Sequence, residues 1–288
     1  MKKFEVKGHE PSYLPEGEWK LVWADEFDGF ELDESKWNYR LDFWGKHSPT
    51  FSKDAIVDGN SFLHLPLVLD NGIYKSAHLQ TGSLTFDIPK DTDGIWPFGK
   101  YQEAKFMHKF GYYEIRCKVP KNDGWHAAFW LQAPGIGSHP NPEYGGVEID
   151  IMESYRLPTE GTILGGIGYG GYGKNSVWPG HFKAKLDNPE DFHTYAVDWS
   201  EEGYIYYIDG KEVGRQMAPE HPISRVEQFI LVSTECHGYH RAFGNEVKEA
   251  GLAGDADVWA GKPVEALTKA ELPDEFVVDY VRVFDRVR

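Results

Sequence analysis

Between residues 148 and 153 the chain reads EIDIME, and the acids of that run are its clearest candidates for chemistry. On a β-strand successive side chains point to opposite faces, so Glu148 and Asp150 leave one face while Ile149 and Ile151 leave the other. Glu153 lies at an odd offset from Glu148 and would be sent in among the isoleucines. An unpaired carboxylate in an apolar core is costly. A one-residue bulge at or near Met152 is therefore expected, re-aiming Glu153 onto the face of the other two acids. The glutamates would then stand about 13 Å apart at Cα. Leaning side chains can close that gap to the roughly 5–5.5 Å between carboxyl groups that a double displacement at a sugar carbon uses. Asp150, between them, should raise at least one pKa by like-charge repulsion and let a proton be shared. The alternative, a solvated acidic strand edge, is disfavoured by the alternation with isoleucine.

A strand needs a sheet to hold it. Short apolar-alternating runs recur at 61–67, 111–119, 127–132, 147–153, 194–199, 203–208, 227–232 and 276–284, separated by Gly, Asp and Asn clusters. That is the pattern of many antiparallel strands. Helical periodicity is nearly absent, the best candidate being a short stretch at 263–272 before the last strand. Two packed antiparallel sheets are the natural architecture. The chain length of 288 residues suits one large all-β domain over 19–288, preceded by a polar surface arm over 1–18. Two long segments, 87–109 and 133–146, break the strand rhythm; they read as walls of a cleft, or else as covers on the sandwich edges.

The acidic run resembles the E-(I/L/V)-D-x-x-E signature of glycoside hydrolase family 16, in the bulged form of its laminarinase-like members. Further segments agree in order: WADEFDG at 23–29, GYYEIR at 111–116, GWHAAFWL at 124–131, FHTYAVDW at 192–199, YIDG at 207–210 and VDYVRV at 278–283. The resemblance runs from about residue 19 to 285. It implies a β-jelly-roll sandwich of two antiparallel sheets whose concave sheet carries the substrate cleft. It also assigns roles that the residues alone leave open: Glu148 as nucleophile, Glu153 as acid/base and Asp150 as the modulator of Glu148, with no cofactor required for catalysis. Trp125 matches a position that commonly stacks on sugar in family members. A structural calcium is common in the family, and Glu26 and Asp279 resemble its ligands; oxygen donors of this kind suit that ion.

The surplus of aromatics, 15% of the chain, suits a sugar-binding surface. Trp130 could face either core or cleft. Trp44, Trp96 and Trp178 lie in loop-like sequence and are candidate rim contacts, with surface packing as the alternative. Trp23, Trp37 and Trp199 read as core anchors, and His126 as structural. Two departures from the family pattern bear on substrate. QTGS at 80–83 places Ser83 where laminarinase-like members carry an arginine that contacts sugar. Gly168-Tyr169 replaces a His-Trp pair on the following strand, leaving Tyr169 as the ring available there for substrate.

A net charge of −16 and a pI near 5.2 argue against nucleic acid and anionic membrane surfaces as partners. A polysaccharide or oligosaccharide is the expected partner, and a monomer the expected state. Cys117 and Cys236 are too few for a disulfide framework, and the CHGYH run at 236–240 matches no common zinc spacing. The charged N-terminus lacks the apolar stretch of a signal peptide, so the expected location is cytoplasmic as the chain stands, or secreted with a signal removed. The leading expectation is a retaining endo-β-glycanase acting on β-1,3- or mixed-linkage glucan. The alternatives are a β-galactanase of the agarase, carrageenase or porphyranase type, a transglycosylase using the same intermediate, and a non-catalytic carbohydrate-binding protein on the same fold.

Overall fold

A computed structural model of the chain describes residues 1–40, 42–43, 46–47, 50–82, 104–172, 175–242 and 258–287, with only the backbone given for 42–43, 46–47, 240–242 and 258–261. The described residues form two main sheets packed face to face. One, of nine strands, has the central order Val68–Asp70, Ile73–Gln80, Phe229–Cys236, Trp125–Gln132, Glu148–Glu153, Thr162–Gly168 and His181–Lys185. The other, of eight strands, runs Lys211–Met217, Gly203–Ile208, His193–Trp199, Gly111–Lys118, Glu275–Arg286, Leu63–Pro66 and Ile56–Val57, with Trp19–Asp25 also paired to Glu275–Arg286. Pairing is antiparallel throughout except where Phe51–Ser52 runs parallel to Ile73–Gln80. This is the expected all-β sandwich of jelly-roll class.

Alternation explains the core. Phe129 and Leu131 of one strand, Ile149 and Ile151 of the next, and Ile115, Tyr195, Val197, Val281 and Val283 of the facing sheet are buried together. Trp37 and Trp199 are buried in the same cluster and Trp23 packs against it. The stretch expected to be helical holds one short helix, Glu265–Thr268. No helix among the described residues is long and apolar enough to cross a membrane.

The segment 1–18 is tied down rather than loose. Lys2–Phe4 pairs with Ser12–Leu14 as a hairpin, and Phe4 meets Phe284 edge to face. Arg282, fully buried, donates to Glu10 O and Ser12 Oγ, and Tyr280 donates to Pro11 O. The hairpin thereby covers the outer face of the eight-stranded sheet, leaving the outer face of the nine-stranded sheet as the one that carries the acids.

Candidate active site

The expected bulge is present. Against the strand before it, Asp150 pairs with Trp130 and Met152 with Phe129, so Ile151 is the extra residue; the register with the following strand shifts between the same acids. Ile149, Ile151 and Met152 all enter the core, while Glu148, Asp150 and Glu153 share the outer face. Local sequence makes this work, because bulky apolar residues on both sides of the shift hold the strand to the core while the acids turn outward.

Burial sets the chemistry of the trio. It pushes the Glu148 carboxyl up to about 7, although a hydrogen bond from the Tyr172 hydroxyl and the charge of Arg40 both pull it back down. Burial and the charges of Glu148 and Glu235 push Glu153 up to about 8. Asp150, fully desolvated between two glutamates, is raised far above the ordinary carboxylate range. The two glutamates therefore differ in their partners: Tyr172 and Arg40 offset part of the cost of a Glu148 anion, whereas burial and like charges alone act on Glu153 and favour its protonated form.

Several residues around the trio went unread in the sequence. Tyr172 receives a hydrogen bond from Gln132 Nε2 and passes its own to Glu148 Oε2. It lies in a glycine-rich turn after the next strand, where it is one of two tyrosines, Tyr169 and Tyr172, and nothing in the run singled it out. Glu235 is a fourth acid on the same face, raised by burial, opposite His126 in the register. Its clue was its phase with Ser233, two positions earlier on a strand whose alternate residues Ile230 and Val232 enter the core. His126 Nδ1 lies 2.8 Å from His237 Nε2, and burial pushes both rings down to about 4, so the pair is neutral at physiological pH. Arg40 stands 5.5 Å from the centre of the Trp130 ring, and buried His78 flanks the same ring at 6.0 Å.

Of the aromatic candidates, Trp130 lies on the acid face, its Nε1 donating to Ser233 Oγ at 2.9 Å. Trp125 does not. Five positions from Trp130 on an unbulged stretch of strand, it falls on the opposite face and is buried with Leu67, Tyr74, Cys236 and Leu267, its indole donating to Asp274 Oδ2. The expectation of sugar stacking at Trp125 is thus corrected to a packing role, and His126, read as structural, is the residue that reaches the acid face. Trp125→Ala should lower stability by about 3–5 kcal/mol while leaving KM for substrate little changed. Chemical denaturation alongside steady-state kinetics checks this, and a large rise in KM with intact stability would restore the stacking role.

Tyr169 is also corrected. Gly168 pairs with Glu148, so Tyr169 takes the opposite phase, packs against the core and bridges to Val177 through backbone bonds. Trp44, Trp96 and Ser83 lie outside the described residues.

The calcium expectation meets a different arrangement. Both oxygens of Glu26 are gripped by the fork of Arg282, at 2.8 and 2.7 Å, and Arg116 binds Asp279. Calcium asks for about six to eight oxygen ligands, whereas here a wholly buried guanidinium supplies the positive charge. The residues present at this pair do not fit the ion.

Tyr172→Phe removes the hydrogen bond that favours ionised Glu148. The acid limb of the pH–rate profile should therefore move to higher pH, with kcat/KM falling about 10- to 100-fold, the worth of a hydrogen bond to a charged group. A pH profile of the variant checks this; an unmoved acid limb would remove Tyr172 from the account.

Comparison with known proteins places the fold in a family. A family model described as glycosyl hydrolases family 16 matches residues 68–228. The chain belongs to that family and is a glycoside hydrolase. It is 30% identical over 207 residues to a glucan endo-1,3-beta-glucosidase of Cryptopygus antarcticus, covering 67% of each protein. It is 28% identical over 287 residues to glucan endo-1,3-beta-glucosidase A1 of Niallia circulans, matching 92% of this chain but only 37% of that protein's length. In structure it resembles the catalytic domain of an endo-1,3-beta-glucanase (laminarinase) from Thermotoga petrophila RKU-1, with a TM-score of 0.64 and 23% identity, covering 94% of this chain and all of that one.

Proposed function

We propose that the protein is a retaining, endo-acting β-glycanase, with β-1,3- or mixed-linkage glucan as its substrate. The observation that carries the mechanism is the asymmetry between two glutamates on one face of a bulged strand. Glu148, whose anionic form Tyr172 and Arg40 favour against the cost of burial, attacks the anomeric carbon and forms a glycosyl-enzyme ester. Glu153, raised to about 8, gives its proton to the departing glycosidic oxygen and then takes one from the incoming water. Asp150 lies between them, and burial with the charges of Glu153 and Glu148 raises it well above the ordinary carboxylate range, which favours sharing a proton over adding a third charge. Trp130, beside Arg40 and His78, offers an amphipathic wall for the sugar bonded to Glu148.

The glucan preference rests on the relatives named above. The deciding experiment incubates the purified protein with laminarin, lichenan, agarose, porphyran and carrageenan and separates the products by chromatography. Short oligomers from laminarin or lichenan support the reading. Cleavage of a galactan alone keeps the mechanism and replaces the substrate. Binding without cleavage of any of the glycans would make the protein a lectin.

A further inference from the structure

The strand beside the catalytic one is unusually bare. Thr162–Gly168 carries Gly165, Gly166 and Gly168, and Gly166 and Gly168 pair directly with Asp150 and Glu148. Glycine inside a strand weakens it and marks a close approach by something else. Two side chains from the next segment make that approach. A Cβ on Gly168 would come within 2.4–2.7 Å of the Trp178 ring, so the indole lies against this glycine. His181, paired across from Gly166, approaches a Cβ position there at 3.3 Å. The two rings are nearly parallel, 21° apart with centres 5.9 Å from each other. A ring nitrogen of His181 comes within 4.8 Å of carboxylate oxygens of both Asp150 and Glu153. Trp178 nonetheless remains 42% exposed, the mark of a large apolar ring without a covering partner.

The acids are therefore flanked on both sides. Trp130, Arg40 and His78 border them from the strands that precede the catalytic one in the sheet, while Trp178 and His181 border them from the far side. Of these side chains, His181 is the one whose ring nitrogen comes close to the residue that protonates the leaving oxygen, while Trp178 lies beside it over Gly168.

We propose that Trp178 and His181, laid across the glycines of the neighbouring strand, form the subsite for the leaving-group sugar. The exposed indole takes the apolar face of a pyranose ring, and the imidazole, beside Glu153, offers a hydrogen bond to a hydroxyl of the same ring. This rests on the glycosidase reading above and deepens it by placing the departing half of the chain. It also explains why this strand is glycine-rich: side chains at 166 and 168 would occupy the space the two rings need.

The test compares two substrates for wild type, Trp178→Ala, Trp178→Phe and His181→Ala. One is the polysaccharide the enzyme cleaves; the other is an aryl oligosaccharide of the same glycan, whose leaving group is a nitrophenolate and needs no sugar platform. For Trp178→Ala, kcat/KM on the polysaccharide should fall about tenfold, with hydrolysis of the aryl substrate and the thermal midpoint unchanged. Trp178→Phe should recover most of the loss, and His181→Ala should show the same bias toward the aryl substrate. Equal losses on both substrates, or none on the polysaccharide, would overturn this inference while leaving the glycosidase reading in place. A wild-type protein that turns over neither substrate overturns both.

Discussion

Glu148→Gln is expected to abolish turnover, by about four orders of magnitude or more, while the protein stays folded and still binds oligosaccharide. The amide cannot attack the anomeric carbon, and it retains the shape that Tyr172 and Gln132 surround. The same substitution should stabilise the protein in alkaline solution. The folded-state pKa of about 7 lies above the ordinary 4.5 because burial disfavours the anion. The folding cost of that anion is absent below pH 4.5, grows as pH rises to about 7, and is complete above it. Neutral glutamine removes it, a gain of up to about 3 kcal/mol above pH 7 and none at pH 4. Kinetics and denaturation at both pH values check the pair of effects. Residual hydrolysis by a preparation free of wild-type enzyme would place the nucleophile elsewhere.

The second large effect is at Glu153. Glu153→Ala should reduce kcat/KM on polysaccharide by about 10²- to 10⁴-fold and much less on a substrate whose leaving group departs without a proton. Because the folded-state pKa is about 8, wild-type activity should decline as pH rises through that value and Glu153 loses its proton. The variant should lose this alkaline limb. Added azide should accelerate the variant on the activated substrate and yield a glycosyl azide, since a small anion needs no general base to reach the glycosyl-enzyme. If azide neither speeds the reaction nor appears in product, Glu153 is not the acid/base.

Both substitutions exchange function for relief of repulsion. Four acids, Glu148, Asp150, Glu153 and Glu235, share one desolvated face; burial raises all four, and like charges add to the rise at Glu148, Asp150 and Glu153. Such a cluster opposes folding above neutral pH. Stability is instead supplied by the apolar side of the same strand, buried in the core between the sheets.

The acid face was legible because period-two alternation is strict where one side of a strand is buried. The phase of Glu148 and Asp150, and the odd offset of Glu153, were enough to require the bulge. Applied to the preceding strand, the same parity separates Trp125 from Trp130. The likeness of the GWHAAFWL run to family members pointed the other way, and the core claimed Trp125. The strand Thr162–Gly168 was reached only through the family resemblance, because its glycines suppress both strand propensity and alternation. Its reason for being bare lies in Trp178 and His181, which the turn after it brings back across the sheet. Tyr172, Arg40 and Glu235 reach the site from segments far apart in sequence, and no local pattern reports such a meeting.

The measurement that tests the central claim most directly is the configuration of the first-formed product. Proton NMR of the anomeric signals, recorded in the first minutes of hydrolysis of a β-linked oligosaccharide, distinguishes two displacements from one. Double displacement through Glu148 and Glu153 predicts the β-anomer first, with the α-anomer appearing only as the sugar mutarotates. An α-anomer appearing first would mean direct attack by water and contradict the covalent mechanism.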